Sequence, residues 1–261
     1  MKVVIFAGGH GTRLSEETRL LPKPMVEING RPILWHIMKI YSHYGFNEFV
    51  ICCGYKGEVI KEYFANYFLR YSDASFDFRE GKNSFVTHKQ PHEKWKVTLV
   101  DTGLKTQTAG RLARVREYID TDEFFLTYGD GVADINIMDL LRFHEENGKV
   151  ATVTAVQPFG RFGALDISEN SVKNFVEKPV GGGGWINGGF FVLNKKVFDF
   201  LPENSCDVMW EQDPMRNLAT SGELMAFHHK GFWQPMDTLR EKHILEKLAQ
   251  DNKAPWIMWN D

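Results

Sequence analysis

Cysteine is scarce, with Cys52, Cys53 and Cys206 the only three in 261 residues. The count is odd, and neighbours on a strand point to opposite faces, so the adjacent pair cannot join one framework. That excludes a disulfide scaffold and predicts a reduced, cytoplasmic protein. Long apolar runs are also missing. None approaches the ~20 residues of a membrane helix, so no membrane partner is expected. The opening run, 3–7, is too short for a signal-peptide core and passes straight into glycines. Nor is there an excess of positive charge: 31 Lys+Arg stand against 34 Asp+Glu, a net charge of −3 with His neutral. A nucleic-acid partner, which calls for a strongly basic face, is therefore not expected. Linkers rich in Ser, Gly or Pro and internal repeats are absent, and 181–184 reads as a mobile loop.

What is present is strand–helix alternation. Val3-Val4-Ile5-Phe6-Ala7 is apolar throughout and rich in β-branched residues, as in a strand covered on both faces. A loop with Gly8, Gly9, Gly11, Pro22 and Pro24 follows. A helix reads from Pro32, with Ile33, Leu34, Ile37, Met38 and Tyr41 at helical spacing and Gly45 as a stop. Strands are expected at 49–53, 96–100, 124–128 and 150–156, and helices at 58–71, 111–119 and 135–147. Repeated β-α units over 1–155 imply a doubly wound α/β sheet. Beyond them come short strands at 164–167, 172–177 and 185–193, a helix around 210–221, a strand at 224–228 and a helix at 238–250. The chain reads as one domain, with 156–261 packed on 1–155.

The informative segment is Ala7-Gly8-Gly9-His10-Gly11-Thr12-Arg13-Leu14, followed by Pro22-Lys23-Pro24-Met25. Glycines after a buried strand let backbone N–H groups approach phosphate oxygens. Arg13 can hold an anion bidentately, and Lys23 is a compact charge stiffened by two prolines. Two other phosphate motifs fail. The dinucleotide fingerprint needs a glycine where Leu14 stands, and the P-loop needs Gly-Lys-Ser/Thr where Gly11-Thr12-Arg13 stands.

With these residues the chain resembles the sugar-1-phosphate nucleotidyltransferases. Their start is a strand, then Gly-Gly-x-Gly-Thr-Arg-Leu, then Pro-Lys-Pro-Met and a short strand leading to Gly-x-Pro, here Gly30-Arg31-Pro32. The likeness runs over nearly the whole chain. Segments 35–39, 52–57, 97–103, 128–134, 160–166, 186–191 and 232–238 resemble its cytidylyl branch. Departures are local: Phe6 stands where Leu is usual, and 72–94 and 180–184 match loosely. The fold this implies is a Rossmann-like doubly wound mixed sheet of the nucleotide-diphospho-sugar transferase type with a smaller sugar-side β subregion, 1–155 being mainly the nucleotide-binding half and 156–261 mainly the sugar-binding half. The activity it implies is attack of α-D-glucose 1-phosphate on the α-phosphorus of CTP, giving CDP-glucose and pyrophosphate. Relatives using UTP, dTTP or another sugar 1-phosphate remain alternatives, as does a non-catalytic subunit that binds nucleotide sugar. The resemblance also implies a homo-oligomer, hexameric in this branch.

A phosphate monoester is largely dianionic at neutral pH, so the nucleophile needs no general base. The obstacle is charge repulsion, which cations must screen. Arg13 would grip the β- and γ-phosphates, and Lys23 would meet the α-phosphate and the incoming phosphate. Ala7, Gly8, Gly9, Gly11, Thr12 and Gly129 complete the expected nucleotide site. Mg²⁺ is the expected cofactor, held by few carboxylates plus substrate oxygens. The resemblance maps the metal aspartates onto Asp130, at the end of an apolar strand, and Asp237, before the last helix. Asp134 is expected to cap the helix beginning near Asn136.

Glu177 and Lys178, ahead of Pro179, suit sugar hydroxyls and the sugar phosphate, and Gly163 and Asn187 join them by resemblance. Cytosine shows acceptors at O2 and N3, so a cationic donor there favours it over uracil. Thr108, Gly110 and Arg111 stand where the family meets the base, with Arg111 as candidate donor; backbone groups near Gly8 or Gly110 are the alternative. His88 and His92 are not expected to bind metal, because Pro91 forbids the helix between them. His228 and His229 should face opposite sides of a strand. Tyr63, Phe64, Tyr67, Phe68 and Tyr71 are core or a subunit contact, and Trp256 and Trp259 predict a docked tail.

Overall fold

The apolar run at the start forms β1 (Lys2–Ala7), which lies inside a seven-stranded sheet. The computed structural model describes residues 1–9, 21–79, 84–88, 93–158, 164–168, 171–176 and 184–259. After β1 come the short pair β2 (Glu27–Ile28) and β3 (Arg31–Pro32), helix α1 (Ile33–His43) and β4 (Glu48–Cys53). Helices α2 (Gly57–Ala65) and α3 (Tyr67–Tyr71), a hairpin of β5 (Ala74–Asp77) and β6 (Ser84–Thr87), and β7 (Lys96–Asp101) follow. Then come helix α4 (Thr108–Arg114), β8 (Glu123–Tyr128), β9 (Gly131–Ala133), helix α5 (Ile137–Asn147) and β10 (Ala151–Val156). The rest supplies β11 (Ala164–Ser168), β12 (Ser171–Val176), β13 (Ile186–Asn194), helix α6 (Asp213–Thr220), β14 (Leu224–His229), β15 (Trp233–Pro235) and helix α7 (Leu239–Gln250).

The sheet order is β14-β10-β13-β8-β1-β4-β7. Strand β1 pairs in parallel with β4 and β8, β4 with β7, and β10 with β14. Strand β13 runs antiparallel to both β8 and β10 and makes the sheet mixed. It comes from beyond residue 155, so β8 and β10 are not neighbours and both halves of the chain share one sheet.

Alternation along β1 separates two cores. Val3, Ile5 and Ala7 face a layer with Ile37 and Tyr41 of α1, Leu140 of α5, Leu245 of α7 and Trp256. Val4 and Phe6 face Leu112 of α4, Phe198, Trp210 and Leu218 of α6. Cys53 belongs to the first core and Cys52 to the second, so the adjacent cysteines do point apart. Trp256 is fully buried, and its Nε1 donates to His36 Nδ1 at 3.3 Å, which docks the tail. His228 packs on Trp185 while His229 meets Asp134.

Three local expectations need correction. The helix expected at 58–71 breaks at Asn66, which sits at φ −103° and ψ 11° and spends its amide on the Glu62 carbonyl. The helix expected at 111–119 begins earlier and ends at Arg114, and a 3₁₀ turn (Arg116–Tyr118) replaces its last part. Asp134 does not cap α5: Asn136 does, accepting from the backbone N–H of Met138 and Asp139. Asp134 instead lies 3.0 Å from His229 Nε2. Of the two histidines near Pro91, His88 meets Ser75 Oγ at 2.8 Å, and His92 lies outside the described residues. Tyr63 and Tyr67 are core, whereas Phe68 is exposed.

Candidate active site

The winding of the sheet selects the site. From β1 the chain moves outward through β4 to β7, then returns to β8 on the other side of β1. The carboxyl ends of β1 and β8 therefore flank a crevice at the point where the winding reverses, the place where open α/β sheets bind ligands. Gly8 and Gly9 leave β1 there, and Gly129 and Asp130 leave β8. The two ends touch: Gly129 N–H donates to the Phe6 carbonyl at 2.9 Å. A Cβ on Gly129 would lie 2.8 Å from that oxygen, so the approach requires glycine.

Lys23 rises into this crevice from a 3₁₀ turn (Lys23–Met25) closed by Met25 N–H on the Pro22 carbonyl. Pro22 and Pro24 fix the backbone on each side, and Lys23 is only 8% exposed. Its ammonium donates to Asp130 Oδ2 at 2.6 Å and to Asp237 Oδ1 at 2.5 Å. Burial disfavours the ammonium, but the charges and hydrogen bonds of Asp130 and Asp237 outweigh it, and the Lys23 pKa is raised.

Asp237 reaches Asp130 through a two-stranded ribbon. Strand β15 pairs with β9, Pro235 opposite Gly131, and Met236 N–H donates to the Asp130 carbonyl at 2.8 Å. Helix α7 then anchors the segment. Thr238 and Glu241 form a capping box, and Glu241 Oε2 also accepts from Asp237 N–H at 2.8 Å. The two carboxylates are thus set by backbone, while their side chains converge on one cation.

Arg111, on α4, lies beneath the glycine loop and is 4% exposed. Its guanidinium donates to the carbonyls of Gly8 (2.9 Å), Cys53 (3.2 Å) and Gly103 (3.0 Å) and to Thr102 Oγ1 (2.6 Å). A Cβ on Gly8 would fall 2.1 Å from Nη1, and one on Gly54 would fall 2.4 Å from it. Burial lowers the Arg111 pKa. The residue therefore has a structural task that the sequence did not suggest, holding the Gly8 turn against the ends of β4 and β7. Gly110, on the same helix, packs on Cys206, whose Cα a Cβ would approach to 2.6 Å.

On the other flank, Asn187 lines a small cavity with Tyr128, Asp130, Gly188, Gly189 and Trp233. Trp233 Nε1 donates to the Gly188 carbonyl at 2.7 Å. The Tyr128 hydroxyl donates to Glu211, and Thr108 Oγ1 donates to the other Glu211 oxygen at 2.8 Å. Tyr128 and Glu211 went unread in the sequence: Tyr128 looks like the end of an apolar strand, and Glu211 like a surface residue before a helix. Six candidates, Gly11, Thr12, Arg13, Gly163, Glu177 and Lys178, and the loop 181–183 lie outside the described residues. Among the described residues no helix is long and apolar enough to cross a membrane, and no group of three His, Cys, Asp or Glu could hold a metal.

Comparison with known proteins places this architecture. A family model described as "Nucleotidyl transferase" matches residues 2–253. The chain is 60% identical over 260 residues to a glucose-1-phosphate cytidylyltransferase of Salmonella typhi, covering 99% of this chain and 100% of that one. It is 45% identical over 259 residues to a protein of Bacillus subtilis named "Probable glucose-1-phosphate cytidylyltransferase", with 99% and 100% covered. Among solved structures, HddC from Yersinia pseudotuberculosis superposes with a TM-score of 0.68 at 23% identity, over 94% of this chain and 98% of that one. A UDP-glucose pyrophosphorylase from Acinetobacter baumanii gives 0.68 at 15% identity, over 98% and 95%. At such identities these two show a shared fold. The chain belongs to the nucleotidyl transferase family, and it is an enzyme of the nucleotidyltransferase class.

Proposed function

We propose that the protein transfers a cytidylyl group from CTP to α-D-glucose 1-phosphate, releasing CDP-glucose and pyrophosphate. The observation that carries the reading is a buried lysine held between two carboxylates where β1 and β8 end, 2.5–2.6 Å from each. Likeness over the full chain to a glucose-1-phosphate cytidylyltransferase supplies the choice of substrates.

The sugar phosphate, already dianionic, attacks the α-phosphorus in line. Lys23 neutralises the incoming phosphate and the α-phosphate. Gly8 and Gly9 present backbone to the triphosphate, and Arg13 takes the leaving pyrophosphate. Asp130 and Asp237 would hold Mg²⁺. The donor set fits that ion, because two hard carboxylate oxygens already converge on one cation. When bound, Mg²⁺ neutralises charge on the phosphates. Glu177, Lys178, Gly163 and Asn187 receive the sugar phosphate in the half after residue 155, and Thr108, Gly110 and Arg111 lie on the base side. A homo-oligomer working in the cytoplasm belongs to the same proposal, and light scattering tests its size. The central test is pyrophosphate release from glucose 1-phosphate with CTP, UTP, dTTP, ATP and GTP. CTP should exceed UTP clearly in kcat/KM, and a preference for another nucleotide would overturn the reading.

A further inference from the structure

The Tyr128–Glu211 contact joins the two sides of the crevice, and its hydrogen-bond inventory restricts what Asn187 can do. Asn187 Oδ1 accepts from Gly189 N–H at 2.8 Å, which fixes the amide with its NH₂ outward. One of those hydrogens goes to the Tyr128 oxygen at 3.3 Å. Tyr128 can accept it because its own proton goes to Glu211. The second Nδ2 hydrogen has no protein acceptor among the described residues, on a side chain that lines the cavity beside Asp130.

The platform under this chain is rigid. The Tyr128 ring lies against Phe6 and Phe191, with centroids at 5.9 and 6.1 Å. Gly189 has φ +82°, and a Cβ there would come 2.7 Å from Tyr128 Cδ2. The position thus needs glycine for its backbone and for the ring. Glu211 is held by Thr108 Oγ1, which itself accepts from Trp210 N–H at 2.7 Å.

We propose that Glu211 is a positioning residue for the sugar. By taking the Tyr128 proton it keeps the Tyr128 oxygen an acceptor, so that Asn187 offers its remaining N–H to one hydroxyl of the sugar phosphate. The inference rests on the reading of Asn187 as sugar-side. It goes beyond that reading by assigning a specificity role to Glu211 and Tyr128 and by setting the direction of the hydrogen bond. If Glu211 accepted no proton, the Tyr128 hydroxyl could turn toward Asn187, and the amide would lose its acceptor.

The test uses the whole protein with CTP, comparing wild type, Tyr128→Phe, Glu211→Gln and Glu211→Ala. Substrates are glucose 1-phosphate and its 2-, 3-, 4- and 6-deoxy analogues. Tyr128→Phe and Glu211→Ala should raise KM for glucose 1-phosphate about tenfold, the scale of one lost oriented hydrogen bond, while KM for CTP changes less than twofold in Tyr128→Phe, which leaves the Thr108–Glu211 bond in place. Wild type should discriminate against one deoxy analogue more than the others, and that ratio alone should shrink in both variants. Glu211→Gln, which keeps an acceptor oxygen, should retain most of the wild-type ratio. Tyr128→Phe combined with Glu211→Ala should be no worse than either alone, because both act through one amide. Unchanged ratios, or equal rises in both KM values in Tyr128→Phe, would overturn the proposal and leave the proposed reaction standing. Wild type that does not turn over glucose 1-phosphate with CTP would overturn both.

Discussion

Two buried cations flank the Gly8 turn, and they are held in opposite ways. Lys23 is gripped by the carboxylates of Asp130 and Asp237, whereas Arg111 is gripped by three backbone carbonyls and a hydroxyl. A carboxylate pair is mobile at its tips and keeps its charge when the ammonium leaves, so another cation can replace it. Backbone carbonyls are fixed by the strands and turns that carry them and have no charge to offer. The Lys23 side is therefore built for exchange and the Arg111 side for shape. Buried ion pairs add little net stability but cost much when one partner is removed. Here that sensitivity lies where substrate and metal are proposed to bind.

The largest expected effects test the exchangeable side. Asp130→Asn or Asp237→Asn should abolish most turnover with Mg²⁺, because each removes a negative ligand from a hard cation, while circular dichroism stays that of the wild type. Near-wild-type kcat at saturating Mg²⁺ would remove that residue from the metal site. Lys23→Ala should lower kcat/KM by roughly 10²–10³, the scale for losing one charged stabiliser of developing charge. It also leaves two carboxylates facing each other without their ammonium. Adding Mg²⁺ without nucleotide should accordingly raise the melting temperature of Lys23→Ala more than that of wild type. Equal rises would mean that lysine and metal do not share the aspartates.

Arg111 tests the other side. Arg111→Ala removes four charge-assisted hydrogen bonds that tie Gly8, Cys53, Thr102 and Gly103 together, at a cost on the order of 4 kcal/mol, although the Gly8 carbonyl keeps Tyr55 N–H and the Cys53 carbonyl keeps Thr102. Its melting temperature should fall by roughly 10 °C, a loss that Mg²⁺ alone does not repair. Arg111→Lys cannot reproduce the planar fork and should recover only part of it. If Arg111 also reads the base, the CTP-to-UTP ratio of kcat/KM should narrow in Arg111→Lys; a constant ratio beside a lowered melting temperature would leave it the cage alone.

The smallest effect concerns a third buried basic group, which has no charge to exchange. His144 meets Thr152 Oγ1 at 2.9 Å, and burial lowers its pKa from 6.5 to about 4. Its folded pKa lies below its unfolded one, so between pH 6.5 and 4 the unfolded chain binds the extra proton. Stability should fall as pH falls through that window, by at most about 1.4 kcal/mol per pH unit. Denaturant titrations of wild type and His144→Gln check it, the variant showing the shallower slope.

Much of this comparison was legible in residues that act locally. Lys23 between two prolines, glycines after an apolar strand, and Asp130 beyond another apolar strand are short-range patterns, and each marks a strand end or a stiff turn. The Arg111 cage was not legible, because its acceptors are main-chain carbonyls and every residue carries one. Nor was the break at Asn66, where a side-chain amide competes for a helix carbonyl. The Asp134 cap failed for a related reason: Asn136 stands one position before the helix and satisfies its first amides directly, leaving Asp134 for His229.

The sequence by itself determined the α/β class, the two-faced burial of β1 and the chemical types around the crevice. Side-chain period and backbone sterics act over a few residues, and those the sequence states outright. Only the tertiary structure decided which groups meet. Lys23 finds one aspartate 107 residues away and another 214 residues away, and Tyr128 finds Glu211 across 83. Those pairings depend on strand order, on β13 entering between β8 and β10, and on the β9–β15 ribbon carrying Asp237 back to Asp130. Strand order follows from how two cores close on both faces of the sheet, a sum over the whole chain that no local segment contains.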